Sequence, residues 1–246
     1  MIAITTNTKI TWEKLPDDFV LPDDPVDNIT QPLLATALTD SFAVAGKLSE
    51  TTLTPTNYAI CATLDGKFVA KAPDWAFIPE IRVSLPEIDR SYTPHLQGGI
   101  PSIVMEFLSE TEGDEYSTKP TYPPGKWFFY EEILQVPYYV IFDPSQGSLE
   151  VYRRNDSGNY HLQTADENGR FWIADVQLFL GVWQGTRDSR TGYWLRWWDE
   201  AGNLLLWAAE LAEQERQRAE QERQRAEQAE SELEALRQRL REAGID

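Results

Sequence analysis

Two acidic residues of this 246-residue chain stand in apolar segments, where a lone charge is costly. Asp74 follows Pro73 at the start of the run 75–78, and Glu106 lies inside the run 100–108. An unpaired charge in a sheet interior costs several kcal/mol, or the group is neutralised by a shift of its pKa. A bound cation is the simplest compensation. The two carboxylates are therefore candidate metal ligands.

A metal at these acids would suit the hydrolysis of a phosphodiester. That reaction uses a divalent cation to polarise the phosphoryl oxygen and to generate hydroxide. Asp74 and Glu106 would supply hard oxygen ligands for Mg²⁺, and the backbone carbonyl of Phe107 is a natural third ligand. Mn²⁺ is the alternative ion. The expected site is a divalent-metal centre built on two strands.

The same reaction needs a fixed cation near the attacking water or the developing charge. Lys126 opens a predicted helix and is the candidate, with Lys119 as the alternative. Tyr130 lies one turn after Lys126 on the same helix face, in a supporting position. Each residue could also be present without a functional role. Pro73-Asp74 would then only start a strand, and Lys126 would only face solvent at a helix start. Glu106 is harder to explain in this way, because no partner is near it in the sequence.

The segments before these residues predict an arm, a helix and a hairpin. Residues 1–28 are rich in Pro and Asp and predict an extended arm over the domain surface. Apolar residues near a 3.6 period predict a helix over 29–48, which Gly46 can terminate. Asp65-Gly66 separates two apolar runs, 58–64 and 67–71, and is typical of a tight hairpin turn.

The segments that carry the candidate site alternate strands with a loop and a helix. Short strands are predicted at 74–78 and 102–108, and the Pro- and Gly-containing stretch 79–99 predicts a long loop between them. An amphipathic helix is predicted over 126–134, followed by a buried strand at 138–142. The order of these elements predicts an α/β fold with a mixed sheet flanked by helices.

The remaining strands are aromatic-rich and end before a change of composition. Strands 149–153 and 160–163 are expected to pair across the turn 155–158, and further strand material lies at the segments 171–173, 177–181 and 193–198. The fold domain is predicted to span residues 29–200.

Residues 201–246 predict a long, charged C-terminal helix. No Pro or Gly occurs from Trp207 to Arg241, and the heptad Glu-Gln-Glu-Arg-Gln-Arg-Ala runs twice from Glu213 to Ala226. Its seven-residue apolar seam is interrupted in the middle by glutamates, where ion pairs along the helix can hold it without a partner. The pattern is therefore compatible with two states of the helix. One is a two-stranded coiled coil, which would make the protein a homodimer, and the other is a solvated single helix.

Composition limits the class of protein. One cysteine, Cys61, cannot form an intramolecular disulfide, and one Cys with His95 and His161 cannot form a common structural zinc site. No stretch resembles a secretion signal or membrane span, so we expect a cytoplasmic protein. The net charge of -18 argues against nucleic acid as a partner, because such binding depends on Lys and Arg. DNA would have to meet a local basic cleft or a metal.

The ordered motifs resemble the bacterial putative restriction endonuclease family, a branch of the PD-(D/E)XK nuclease superfamily. The resemblance covers about residues 30–155 and extends to the Arg/Gln/Glu-rich tail. It implies a restriction-endonuclease-like fold, Mg²⁺-dependent DNA cleavage, and active-site roles for Asp74, Glu106 and Lys126. The residues that carry it are Ala72 to Trp75, Val104 to Ser109, Lys126 with Tyr130, and Val136 to Pro144.

The chain departs from the superfamily pattern in two ways. The lysine usually stands two residues after the second acid, where this chain has Leu108, so Lys126 would be a replacement from the neighbouring helix. The family's additional upstream acid has no clear counterpart among Asp27, Asp40 and Glu50. The competing class is a catalytically degenerate nuclease fold that acts as a binding or scaffold protein. Its partner surfaces would be the C-terminal helix and the tryptophans Trp194, Trp197, Trp198 and Trp207.

Overall fold

A computed structural model of the protein describes residues 8–21, 29–109 and 113–242. The chain divides into two units, one ending at Leu205 and one starting at Leu206. Within the described ranges, the first unit contains three β-sheets with helical segments, and the second is a helix. The central sheet has parallel and antiparallel pairs, which confirms the predicted α/β class with a mixed sheet.

The first sheet is an antiparallel hairpin extended by a short N-terminal strand. Asp65 and Gly66 both have positive φ, 48° and 78°, as a tight hairpin turn of the predicted kind requires. The predicted hairpin is confirmed. The strands, in the order in which they pair, are β1 (Ile10–Thr11), β2 (Ile60–Leu64) and β3 (Lys67–Lys71).

The central sheet has five strands that pair in chain order. Three of the four neighbouring pairs are antiparallel, whereas β5 and β6 are parallel and are connected by the long crossover 108–137. Every residue of β5 is buried, as expected for a strand covered on both faces. The strands are β4 (Trp75–Phe77), β5 (Ile103–Phe107), β6 (Tyr138–Asp143), β7 (Ser148–Arg154) and β8 (Tyr160–Leu162).

The third sheet contains a hairpin that is longer than the sequence predicts. It comprises β9 (Phe171–Ile173), β10 (Leu178–Arg187) and β11 (Arg190–Trp198), all antiparallel. The turn of the hairpin is formed by Asp188 and Ser189, which have φ of 48° and 66°. Neither is glycine, so the usual turn signal is missing from the sequence, and the predicted strands 177–181 and 193–198 are too short.

The first helix, α1 (Thr30–Val44), covers an aromatic part of the core. It ends shortly before Gly46, which has φ of +65°, so the predicted helix exists but is shorter than 29–48. Phe42 is fully buried, and its ring lies 5.7 Å from that of Trp75 and 4.9 Å from that of Trp197. The helix therefore packs against both the central and the third sheet.

The helix predicted over 126–134 is a short α-helix that continues as a wider turn. Its parts are α2 (Lys126–Phe128) and a π-helix over Phe129–Ile133. In the π-helix the amide of Leu134 donates to the carbonyl of Phe129, five residues back. Two adjacent aromatic side chains, Phe129 and Tyr130, are fully buried here. The sequence pattern predicts a helix but not this distortion, which is frequent at functional sites.

The described part of the N-terminal segment, 8–21, is held by one arginine. The guanidinium of Arg90 donates to the carbonyls of Pro16, Asp17 and Phe19 at 2.7–2.9 Å. Leu15 is buried nearby, in a small cluster with Ala59 and Cys61. Residues 1–7 and 22–28 of the predicted arm lie outside the described residues.

The second unit contains α3 (Ala208–Glu242), which confirms the predicted long charged helix. Its ion pairs include Arg216 with Glu213 and Arg223 with Glu220, each at 2.9 Å and one turn apart. Of the helices within the described ranges, none is both long and apolar enough to cross a membrane.

Replacing Arg90 by Ala should loosen the segment 15–21. The change removes three charge-assisted hydrogen bonds, and we expect a loss of about 1.5–3 kcal/mol in the free energy of unfolding with faster amide exchange in this segment. Arg82→Ala is the matched control, because Arg82 pairs with Glu80 at the exposed surface, where water screens the ion pair, and its loss should change stability little. Equal effects of the two substitutions would contradict a clamping role for Arg90.

Candidate active site

The register between β4 and β5 brings the two predicted acids together. Trp75 pairs with Met105 in this antiparallel ladder, so the next pair along the strands is Asp74 and Glu106. Opposed residues of antiparallel strands point to the same face of the sheet. The Oδ2 atom of Asp74 accepts a hydrogen bond from the backbone amide of Phe107 at 2.6 Å, which fixes this carboxylate beside the second strand.

Glu106 is almost completely buried, with 1% of its side chain exposed, and both of its oxygens accept hydrogen bonds. The Nζ atom of Lys126 lies 2.9 Å from Oε2, and the Tyr130 hydroxyl donates to Oε1 at 2.9 Å. These donors come from the start of α2 and from the π-helix. The structure therefore brings Lys126 and Tyr130 to Glu106 across the crossover that links β5 to β6.

A third acid, Glu115, belongs to the same cluster. Its Oε1 atom lies 3.0 Å from the Nζ atom of Lys126, and its side chain is 13% exposed. Glu115 was not predicted, because it stands in a polar, Pro-containing segment without regular periodicity. Lys126 therefore pairs with two carboxylates, one buried in the sheet and one from the crossover.

The backbone of Phe107, whose carbonyl is a predicted metal ligand, forms two hydrogen bonds with side chains. Its amide donates to Asp74, and its carbonyl accepts a hydrogen bond at 2.8 Å from the Nε2 atom of Gln31. Gln31 is a buried residue of the first turn of α1 that the sequence analysis did not single out. A carbonyl has a second lone pair, so this hydrogen bond leaves room for one further contact.

The other sequence candidates lie elsewhere. Asp40 pairs with Arg187 of β10 at 3.0 Å, and Glu50 is exposed in a turn after α1. Asp27 lies outside the described residues. Lys119 is exposed, and Lys126 rather than Lys119 reaches Glu106.

Burial and charge set the protonation of the cluster. Burial raises the pKa of Glu106 to about 8; the charge of Lys126 opposes this shift and that of Asp74 adds to it. Burial alone would lower the pKa of Lys126, but the charges of Glu106 and Glu115 outweigh it and raise that pKa above its usual range. Burial also raises the pKa of Tyr130 well above 10, so its hydroxyl is a neutral donor. Lys126 is therefore the fixed cation of the cluster.

The donor set fits a hard divalent cation that retains waters. Asp74 and Glu106 are carboxylates on one face, Phe107 adds a carbonyl, and Lys126 pairs with Glu106 and Glu115. Over residues 8–21, 29–109 and 113–242, no three His, Cys, Asp or Glu side chains are arranged to hold a metal together. Mg²⁺ is usually bound by one or two carboxylates, and waters complete its octahedral coordination. Asp74 and Glu106 are two such carboxylates.

Glu106→Gln should change how the stability of the metal-free protein depends on pH. Folding raises the pKa of Glu106 from 4.5 to about 8, so the native state keeps a proton that the unfolded state loses. Stability contributed by Glu106 therefore falls as pH rises between these values. Relative to Glu106→Gln, the wild type should lose on the order of 1 kcal/mol or more from about pH 5 to 8, measured by chemical denaturation.

The control is Glu132→Gln, which removes an exposed carboxylate from the same helical segment. Its stability should follow the wild type across the pH range. A Glu106→Gln profile parallel to the wild type would contradict the buried, proton-retaining state of Glu106.

Comparisons with known proteins place the chain in a family. The profile of the Uma2 family, described as "Putative restriction endonuclease", matches residues 21–187. The crystal structure of a putative nuclease belonging to DUF820 from Anabaena variabilis ATCC 29413 is similar, with a TM-score of 0.36 and 11% identity over 63% of this chain and 76% of that chain. Among curated proteins, none matches. Because the family profile spans more than half of the sequence, this chain belongs to the Uma2 family of putative restriction endonucleases.

Proposed function

We propose that the protein is a divalent-metal-dependent endonuclease that hydrolyses phosphodiester bonds of DNA. The observation that carries the proposal is the meeting of Asp74, Glu106 and Lys126 at one point of the central sheet. Two hard carboxylates and a charged amine are the groups that metal-assisted phosphodiester hydrolysis uses. Family membership supports the same class of reaction.

Each residue of the cluster has a proposed role. Asp74, Glu106 and the Phe107 carbonyl would hold Mg²⁺ or Mn²⁺, which when bound supplies Lewis acidity toward a phosphoryl oxygen. Lys126, charged at neutral pH, would neutralise negative charge that develops on the phosphate. Tyr130 keeps Glu106 in place through its hydrogen bond to Oε1. It is a positioning residue.

The charge of the protein shapes how DNA would bind. A net charge of -18 opposes a polyanion over most of the surface, so the affinity must come from the metal and from local cations such as Lys126. We therefore expect weak non-specific binding with a requirement for the divalent ion. We place the activity in the cytoplasm, where a lone free thiol such as Cys61 stays reduced.

A non-catalytic scaffold function receives less support from the structure. The predicted partner surface included Trp194, Trp197 and Trp198, but all three are buried in the third sheet. They pack in the core, so this part of the alternative is wrong. The exposed C-terminal helix is the feature that remains in its favour.

Asp74→Asn should weaken metal binding without unfolding the protein. The amide oxygen can still accept from the Phe107 amide, whereas the ligand charge is lost. Because the loss of even an outer-shell partner typically costs 10–100-fold in metal affinity, we expect a decrease of more than about tenfold in Mg²⁺ affinity by calorimetry. Cleavage of duplex DNA should fall in parallel.

The matched control is Asp166→Asn. Asp166 also accepts backbone amides, those of Asn168 and Arg170, but it lies in the turn before β9. Its variant should bind Mg²⁺ as the wild type does. Undiminished Mg²⁺ binding by Asp74→Asn would remove the proposed metal site, and Mg²⁺ binding without cleavage would favour the scaffold function.

We also propose that α3 pairs with a second copy of itself, as a parallel coiled coil over residues 225–240. Three exposed leucines, Leu233, Leu236 and Leu240, are 41–54% exposed at heptad spacing. In a parallel pair, Arg225 would face Glu230 of the second copy. Arg225 forms no ion pair within the described residues, so it is available for such a contact. The same holds for Arg237.

Ala226→Cys should then form a disulfide-linked dimer under mild oxidation. Residue 226 lies on the same heptad position as Leu233, so two copies meet in a parallel, in-register pair. The native Cys61 is buried with its pKa raised to about 11 by that burial, so it should not compete. Ala235→Cys, on the outer face, is the control and should stay monomeric on a non-reducing gel. Absence of the Ala226→Cys dimer would favour a solvated single helix.

A further inference from the structure

The carboxylate of Glu115 is fixed by its surroundings. The Tyr139 hydroxyl donates to its backbone carbonyl at 2.8 Å, and the preceding residue, Asp114, pairs with Lys71 of β3 at 2.8 Å. These contacts tie two consecutive residues of the crossover to β6 and β3. The side chain of Glu115 is therefore held at Lys126 by an anchored backbone.

Gly113 provides the space in which this carboxylate lies. A Cβ atom added at Gly113 would collide with both carboxylate oxygens of Glu115. The colliding group is the end of a flexible side chain, so an alanine at this position would push the carboxylate aside rather than disrupt the backbone. Gly113→Ala should therefore move the Glu115 carboxylate without removing its charge.

The two carboxylates on Lys126 differ in their access to solvent. Glu106 is 1% exposed and is also held by Tyr130, whereas Glu115 is 13% exposed and Lys126 itself 21%. An ammonium has three N–H donors, and at least two of them are used by these acids. A ligand that reaches Lys126 from water meets the Glu115 side, because the Glu106 side is closed by the sheet.

We propose that Glu115 is the carboxylate that a DNA phosphate displaces from Lys126, and that it thereby sets the affinity of the site for phosphodiesters. This inference rests on the proposed function, since it names the substrate phosphate as the competitor. Exchange of one anionic oxygen for another preserves the charge-assisted bond to the ammonium. The energetic cost of binding then includes breaking the pair between Glu115 and Lys126.

Glu115→Gln should increase the affinity for DNA. We expect binding of a fluorescent duplex oligonucleotide in EDTA to become about fivefold tighter, by anisotropy at low salt, because a partly exposed ion pair no longer competes. Gly113→Ala should act in the same direction, since it moves the carboxylate away from Lys126. Unchanged or weaker binding by Glu115→Gln would overturn the proposal.

Two controls separate competition at Lys126 from a general change in charge. Glu132→Gln removes one exposed negative charge from the same region and should tighten binding less. In a protein that already carries Lys126→Met, Glu115→Gln should tighten DNA binding no more than Glu132→Gln does. Glu115 then has no ammonium for which it could compete with the phosphate. A full Glu115→Gln effect without Lys126 would contradict the mechanism.

A measurement on Lys126 itself keeps this proposal distinct from the metal site. Acetylation of the Lys126 amine at fixed pH, followed by mass spectrometry, should be faster in Glu115→Gln, because the more exposed of the two carboxylates that hold the amine is gone. Failure of Mg²⁺ binding in the wild type would sink the proposed nuclease function alone. Unchanged Lys126 reactivity in both Glu115→Gln and Gly113→Ala would sink the role of Glu115 alone.

Discussion

The arrangement of the central sheet depends on the burial of one carboxylate, Glu106. A carboxyl group with 1% exposure is tolerated only if other groups replace the hydrogen bonds to water that it has lost. Lys126 and Tyr130 do so, and both come from the segment between β5 and β6. The short α-helix and the wide turn that follows it therefore have a fixed place against the sheet. The same contacts make Lys126 the cation of a cluster that also contains Asp74, Glu106 and Glu115.

The sequence predicted those parts of the site whose residue types conflict with their local environment. Asp74 and Glu106 were found because acids are unusual in apolar strands, and the spacing of the surrounding strands was enough to place them on neighbouring elements. Glu115 and Gln31 were missed for the opposite reason. An acid in a polar loop and an amide on a helix cause no local conflict, and only tertiary packing brings them to Lys126 and to the Phe107 carbonyl.

The fold shows the same division between local and tertiary causes. The Asp65-Gly66 hairpin and α1 follow from turn chemistry and from the helical period, so both were predictable. The hairpin of β10 and β11 turns at Asp188 and Ser189, which have positive φ, a backbone conformation that residues other than glycine rarely adopt. Pairing of the long strands imposes this turn. Likewise, the π-helix contains two adjacent buried aromatic residues, Phe129 and Tyr130, and the amphipathic pattern of 126–134 predicts a helix without this distortion.

The parallel pairing of β5 and β6 determines which segment surrounds Glu106. Parallel neighbours cannot be joined by a tight turn and need a long connection, here 108–137. Lys126, Tyr130 and Glu115 all belong to this connection. The segment that the sheet topology requires as a crossover therefore also supplies the polar partners of a buried acid, so its sequence has to satisfy both the connection and the cluster.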